Sequence, residues 1–352
     1  MRVWDITSAK EALFIPITPP WSRMVSYSPD GTKIVTDYPE GNAVKIWDAK
    51  SGEDVQTLGG ATDSYVLTVP SQDGKMVAGR DDKSIIIWDA MTGDELLTLS
   101  GSKDRVFCFA FSPDGTHLAS GSGSGEIFIW DLASGKISSR LQGPTLGSSP
   151  LALGNILSYA IFSVAYSPDG KQLISTDSDG FGIVWEVSTG EKIFTIPPKE
   201  EISGTTILPE EIWEAAYSPD GKKLAFAGSR GTARIIDAFT GKELFSLRGH
   251  TDGVASIAFS PNGKLVGTGS LDGTVRLWEA TTGMNLLTLP VAGSISFSPD
   301  GKRLAVGGES GVYIVVLPID DLVALGKSRL TRSLTVEECQ QYLHVKTCPV
   351  DQ

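Results

Sequence analysis

Few residues in this chain have the types and spacing that catalysis needs. Three histidines, His117, His250 and His344, are scattered over 352 residues. A Ser-His-Asp nucleophile would have to be gathered from distant segments, and no segment points to one. Cys339, His344 and Cys348 supply three ligand types at irregular spacing without a fourth, which does not match the tetrahedral sets that zinc takes. A surface disulfide between the two cysteines, or two free thiols, is the expected state. Gly121-Ser122-Gly123-Ser124-Gly125 lacks the lysine of a phosphate loop and reads as a flexible corner at a strand turn. Asp177-Ser178-Asp179-Gly180 begins like a calcium loop, but the later oxygen ligands and the distal glutamate are missing. Neither H-E-x-x-H nor G-x-S-x-G occurs. The expectation is a non-catalytic chain with no cofactor and no metal.

Composition narrows the partners. The 30 basic and 42 acidic residues leave a net charge of −12, which disfavours binding to a phosphate backbone, where clustered Lys and Arg carry the affinity. No apolar run reaches the roughly 18 residues that a membrane helix needs, and no apolar segment of a signal peptide follows Met1-Arg2-Val3-Trp4-Asp5. With three cysteines in all, a dense disulfide framework is excluded. A soluble, cytoplasmic chain that binds neither nucleic acid nor membrane is expected.

The elements that must position any functional residue announce themselves by repetition. Ser-Pro-Asp-Gly recurs at Ser28, Ser112, Ser167, Ser218 and Ser298, with variants Ser71-Gln72-Asp73-Gly74 and Ser260-Pro261-Asn262-Gly263. Successive glycines stand 43, 41, 55, 51, 42 and 38 residues apart. Proline suits the first central position of a tight turn, Asp or Asn the second, and glycine takes the positive φ from which the next strand starts. An alternating apolar run follows each turn and in five copies ends in Trp-Asp or Trp-Glu, at Trp47, Trp88, Trp130, Trp185 and Trp278. Two copies have lost the tryptophan, leaving Ile236-Asp237 and Val315-Val316. Period-two alternation predicts half-buried strands. A Thr-Gly or Ser-Gly turn then leads into a fourth, outer strand.

A period near 42 with four strands and a Trp-Asp ending resembles the WD-repeat family over about residues 1 to 318. The resemblance implies an all-β fold, a seven-bladed β-propeller of four-stranded antiparallel blades around a central channel. The strand count predicts how the ring closes. The last blade, Gly293 to Leu317, has no outer strand of its own, and Ala12 to Ile17 is an outer strand without a blade. Donating Ala12 to Ile17 joins the two ends. Arg2 to Asp5 is then a surplus Trp strand, which predicts a natural polypeptide beginning upstream of Met1. The family's buried network of Trp, Ser or Thr, Asp and His is complete in one unit only, as His250, Ser270, Asp272 and Trp278. These four are read as structural, and the tryptophans as blade cores.

Two connections are long. Trp130 to Trp185 spans 55 residues and Trp185 to Ile236 spans 51, and the excess falls in residues 143–158 and 197–211. Both join an outer strand to the next blade's first strand, so both emerge on one face of the ring, where a protein or peptide partner is expected. Leu151, Leu153 and Ile156 are too apolar for a solvated linker. On the same face, strand position puts Trp21, Arg23, Asp81, Arg105, Trp213 and Arg230 at the blade mouths as contact candidates, aromatics and arginines being favoured as anchors. From residue 319 to 352 the alternation stops, and Asp320-Asp321 and the Thr335-Val336-Glu337-Glu338 capping box predict a short helical extension. With Arg329-Leu330-Thr331-Arg332 and Tyr342-Leu343-His344, this tail is similar to the extension after propellers of large bacterial multidomain regulators. That resemblance implies a sensor or docking end of a signalling protein. The alternative reading is a propeller enzyme, a hydrolase or lyase working in the central channel, which the scarcity of histidine disfavours.

Overall fold

The structure, a computed structural model, describes residues 10–17, 24–38, 43–59, 68–143, 160–198, 200–203, 206–308 and 311–317. Its recurring unit is the turn. In Ser28-Pro29-Asp30-Gly31 the Ser28 hydroxyl donates to Asp30 Oδ1 at 2.6 Å and accepts the Lys33 N–H at 2.9 Å, while the Gly31 N–H closes on Ser28 O at 2.8 Å. The same set recurs in the other six turns, with Asn262 replacing the aspartate once. Each turn glycine has φ between 68° and 71°, a conformation that costs a side chain strain and glycine none.

The turn proline has a second role. Ring carbons of Pro299, Pro29, Pro113, Pro168 and Pro219 lie 3.1 to 3.7 Å from where a Cβ would stand on Gly31, Gly74, Gly170, Gly221 and Gly263. Each proline therefore rests on the next blade's turn, and neighbouring turns interlock around the ring. Gln72 replaces the proline once, and the corresponding space beside Gly115 is empty.

Seven four-stranded antiparallel sheets follow in chain order. Their inner strands are Val25–Tyr27, Thr68–Pro70, Val106–Phe111, Ile161–Tyr166, Ile212–Tyr217, Val254–Phe259 and Ser294–Phe297, here blades 1 to 7. Blade 7 takes its outer strand from the start of the chain, Lys10–Pro16 pairing antiparallel with Gly311–Val316. The fold is thus a seven-bladed all-β propeller. The connection over 197–211 contains a small hairpin, Glu200–Ser203 paired with Thr206–Pro209. Residues 144–159, with Leu151, Leu153 and Ile156, lie outside the described residues, as do Trp21, Arg23, the surplus strand Arg2 to Asp5 and the tail from residue 318.

The core sits between blades rather than within them. Along the third strand of blade 3, Phe128 and Trp130 pack with Ile85, Ile87 and Leu99 of blade 2, and Ile127 and Ile129 pack with Ile161, Leu173 and Trp185 of blade 4. Alternate residues face opposite neighbours because side chains on a strand alternate. Such strands read as nearly continuous apolar runs, and no blade is stable without both flanking blades.

Candidate binding face

Two networks hold the face that carries the long connections. The first is the buried chain in blade 6. Trp278 Nε1–H donates to Thr268 Oγ1 at 2.8 Å, His250 Nε2 lies 2.8 Å from the same hydroxyl, and His250 Nδ1 lies 2.8 Å from Asp272 Oδ2. A proton on Nδ1 satisfies every partner: Thr268 then donates to Nε2, and the ring donates to Asp272. Burial holds His250 below its ordinary value, against the pull of Asp272. Burial alone would raise the Asp272 carboxyl, but bonds from the Thr274 hydroxyl, the His250 ring and the Thr251 N–H outweigh it and hold it well below the usual range.

The sequence placed Ser270 in this chain, and that is corrected: the hydroxyl is Thr268. Ser270 Oγ instead donates to the Asp252 and Gly253 carbonyls, at 2.9 and 3.0 Å, and accepts the Asp272 N–H. Both hydroxyls lie on the same face of one strand, two residues apart. The indole reaches the residue two beyond its pairing partner, and Trp278 pairs with Val266. The same rule gives Thr36 for Trp47, Ser120 for Trp130 and Ser175 for Trp185, each within 2.9 Å. It gives Gly79 for Trp88, so blade 2 lacks the hydroxyl.

The second network belongs to blade 5. Glu210 is buried and accepts the Thr232 hydroxyl and the Arg230 N–H, tying the 197–211 connection to the turn at 229–232. A backbone bond from the Ser229 N–H to Glu211 O, 3.0 Å, runs beside it. Glu211 Oε2 also accepts the Trp213 Nε1–H at 2.8 Å. The Trp213 ring stands where a Cβ on Gly253 would meet it at 2.5 Å, so it leans onto blade 6. Arg230 and Trp213 are thereby held at one mouth. Asp81 and Arg105 lie at the mouths of blades 2 and 3: Asp81 O accepts the Ser84 hydroxyl, and Arg105 O accepts the Gly123 N–H. Arg80, which the sequence reading passed over, is buried and donates to Val106 O at 3.0 Å, joining blades 2 and 3.

The channel opens between these mouths. It encloses about 720 Å³, lined by Phe107, Phe162, Trp213, Glu214, Ser294 and Leu271 among others. Of the contact candidates named from sequence, Trp213 alone among the described residues lines it, and Ser270 of the structural four lines it too. The aromatic lining has one structural origin. The register of the inner strands slips between Val106 and Cys108, between Ile161 and Ser163, and between Ile212 and Glu214. The extra residue at each bulge is Phe107, Phe162 or Trp213, left unpaired and re-aimed toward the mouth. Phe107 and Phe162 meet edge to face, with centroids 6.0 Å apart. In blade 6 the bulge residue is Ala255, and the wall beyond it is built from Gly269, Gly293, Gly307 and Gly308. The mouth is therefore aromatic on blades 3 to 5 and open on blades 6 and 7. Leu271, 60% exposed, borders it.

Below the bulge, side chains stitch the inner strands together. Ser163 Oγ accepts the Ala215 N–H, Glu214 Oε2 the Ile257 N–H, Ser256 Oγ the Ile295 N–H and Ser296 Oγ the Tyr27 N–H, at 3.2, 2.7, 3.2 and 3.0 Å. Glu214 is the one carboxylate lining the channel among the described residues. Burial raises it to about 7, opposed by the bonds from Ile257 and Ser256.

The comparisons with known proteins agree with this architecture. The model of the WD40 family, "WD domain, G-beta repeat", matches residues 52–89, 93–131, 153–186 and 241–279. A Periodic tryptophan protein 2 homolog of Dictyostelium discoideum is 27% identical over 65% of this chain and 23% of its own length. WD repeat-containing protein 1 of Mus musculus and Actin-interacting protein 1 of Drosophila melanogaster are each 24% identical over 60% of this chain and 33% of their own length. The chain thus matches 23% to 33% of the length of these relatives. The four matched segments are similar to WD40 repeats, and the sheets of the chain form a seven-bladed propeller.

Proposed function

We propose that this chain is a non-catalytic, cytoplasmic interaction platform whose protein or peptide partner docks on the face bearing residues 143–158 and 197–211. The observation that carries the reading is the run of Phe107, Phe162 and Trp213, half-exposed at matching bulges of three adjacent blades beside the channel. Large rings in rigid backbone supply contact area at little entropic cost, the property of binding anchors. Arg105, Arg230 and Asp81 stand around them as the polar rim. The name of the Drosophila relative, which speaks of interaction with actin, supports protein binding as the class of activity.

The finer reading, the sensor end of a larger bacterial regulator, rests on the tail motifs, while the relatives named above are eukaryotic. An immunoblot of the source cell tests it: a band far above 37 kDa supports it and a band near that mass opposes it.

The platform reading is tested with a photo-crosslinking amino acid placed at Phe162 or, on the opposite face, at Met91. Position 162 should trap a partner from the source cell that is lost in the combined variant Phe107→Ala and Trp213→Ala. Equal trapping from Met91, or trapping unaffected by the variant, would place the contact elsewhere.

A further inference from the structure

We propose that the channel mouth takes a basic side chain, lysine or arginine, from an extended segment of the docked partner. This rests on the platform reading above and adds the chemistry of the ligand. Three features converge. The first is Glu214, a carboxylate on a wall otherwise made of apolar and small residues, with no lysine or arginine lining the cavity among the described residues. The second is Ser294. It occupies in blade 7 the strand position that Glu214 and Ser256 hold in blades 5 and 6, and pairs with Gly307 as Glu214 pairs with Ala227 and Ser256 with Gly269. Those two accept an N–H from the next blade, whereas the buried Ser294 hydroxyl has no partner among the described residues. The third is the ring arc of Phe107, Phe162 and Trp213 above them.

A buried hydroxyl without a partner is costly in a folded protein, and Ser294, on the cavity wall, gains a partner once its hydroxyl turns toward a ligand's donor. A cation satisfies all three features together. Its charge meets Glu214, a second donor meets Ser294, and its methylene stem and charge lie against aromatic faces. A neutral donor would leave the carboxylate unpaired in an apolar wall, and an anion would be repelled by it. The open side formed by Gly269, Gly293, Gly307 and Gly308 leaves room for the segment that carries the side chain.

The test is selection of a random peptide library displayed on phage against the full chain. Binding of the enriched peptides is then measured to the parent protein, to Glu214→Gln and to Phe107→Ala with Trp213→Ala. Glutamine keeps an acceptor for the Ile257 N–H, so the blade contact survives, and thermal unfolding verifies it. The enriched peptides should share one Lys or Arg. Replacing that residue by norleucine should cost at least tenfold in affinity, and Glu214→Gln should cost the same for the parent peptide but nothing for the norleucine one. The norleucine arm needs no protein variant and stands even if Glu214→Gln fails to fold. Peptides that share no basic residue and ignore Glu214→Gln, yet are lost in the aromatic variant, would overturn the basic-ligand inference and leave the platform standing. No enrichment, or binding indifferent to the aromatic variant, would overturn both.

Discussion

At the scale of residues, carboxyl groups of opposite disposition set how stability depends on pH. The turn aspartates accept hydroxyl and N–H bonds, and Asp30, Asp73, Asp114, Asp169, Asp220 and Asp300 are all held below their ordinary values. The stability they contribute is present above their unfolded values and lost as pH falls through the folded ones. Glu214 and Asp177 are raised to about 7, in each case chiefly by burial. Their contribution is full below about pH 4 and lost as pH rises toward 7. Glu214→Gln should therefore raise the unfolding temperature at pH 8 and leave it unchanged near pH 4. The gain should be about 1–2 kcal/mol, reduced from the full conversion of the shift because the channel side of the group meets water. Melting curves across that range measure it, and an equal effect at both pH values would refute the assignment. Thr268→Val, which strips partners from the buried Trp278 and His250 nitrogens, should cost about 2–4 kcal/mol in urea unfolding. Ser270→Ala removes the bonds to the Asp252 and Gly253 carbonyls but strips no ring nitrogen of a partner, and should cost about 1 kcal/mol; the reverse order would return Ser270 to the chain.

At the scale of elements, the turn is the part that sequence shows best. Its residues act within five positions of one another, so spacing alone reveals every blade. Gln72 marks where that chemistry is incomplete. Gln72→Pro should stabilise by about 0.5–1 kcal/mol, by presetting the turn and filling the space beside Gly115. A loss of stability on that change would mean the second turn differs from its siblings. The bulges are illegible for the opposite reason. Period-two alternation has no place for an unpaired residue, so it does not single out Phe107 and Phe162, while Trp213 was named from its strand position. Glu214 was hidden likewise, because its partner, the Ile257 N–H, comes from the adjacent blade and no local spacing encodes it. The network hydroxyl, Thr268 rather than Ser270, depends on cross-strand register, which sequence leaves open between two residues of the same type.

At the scale of the whole molecule, closure was readable from counting strands, because the outer strand left over at the start is the one that the last blade lacks. Ile15 and Ile17 are 1% and 2% exposed and join a cluster with Val25, Ile34 and Trp47 of blade 1 and Val312 and Ile314 of blade 7. Deleting residues 1–17 should lower the urea midpoint and broaden the transition, since two blades lose a shared face at once. A synthetic peptide of residues 10–17 added in trans should restore both, and an unchanged transition would show that closure contributes nothing. The most direct measurement of the central claim is hydrogen exchange of the propeller with and without a bound partner peptide. The docking face predicts added protection at the inner-strand starts, residues 106–109, 161–164 and 212–215, and at the turn 270–274. Protection confined to the Ser-Pro-Asp-Gly turns on the opposite face would contradict it.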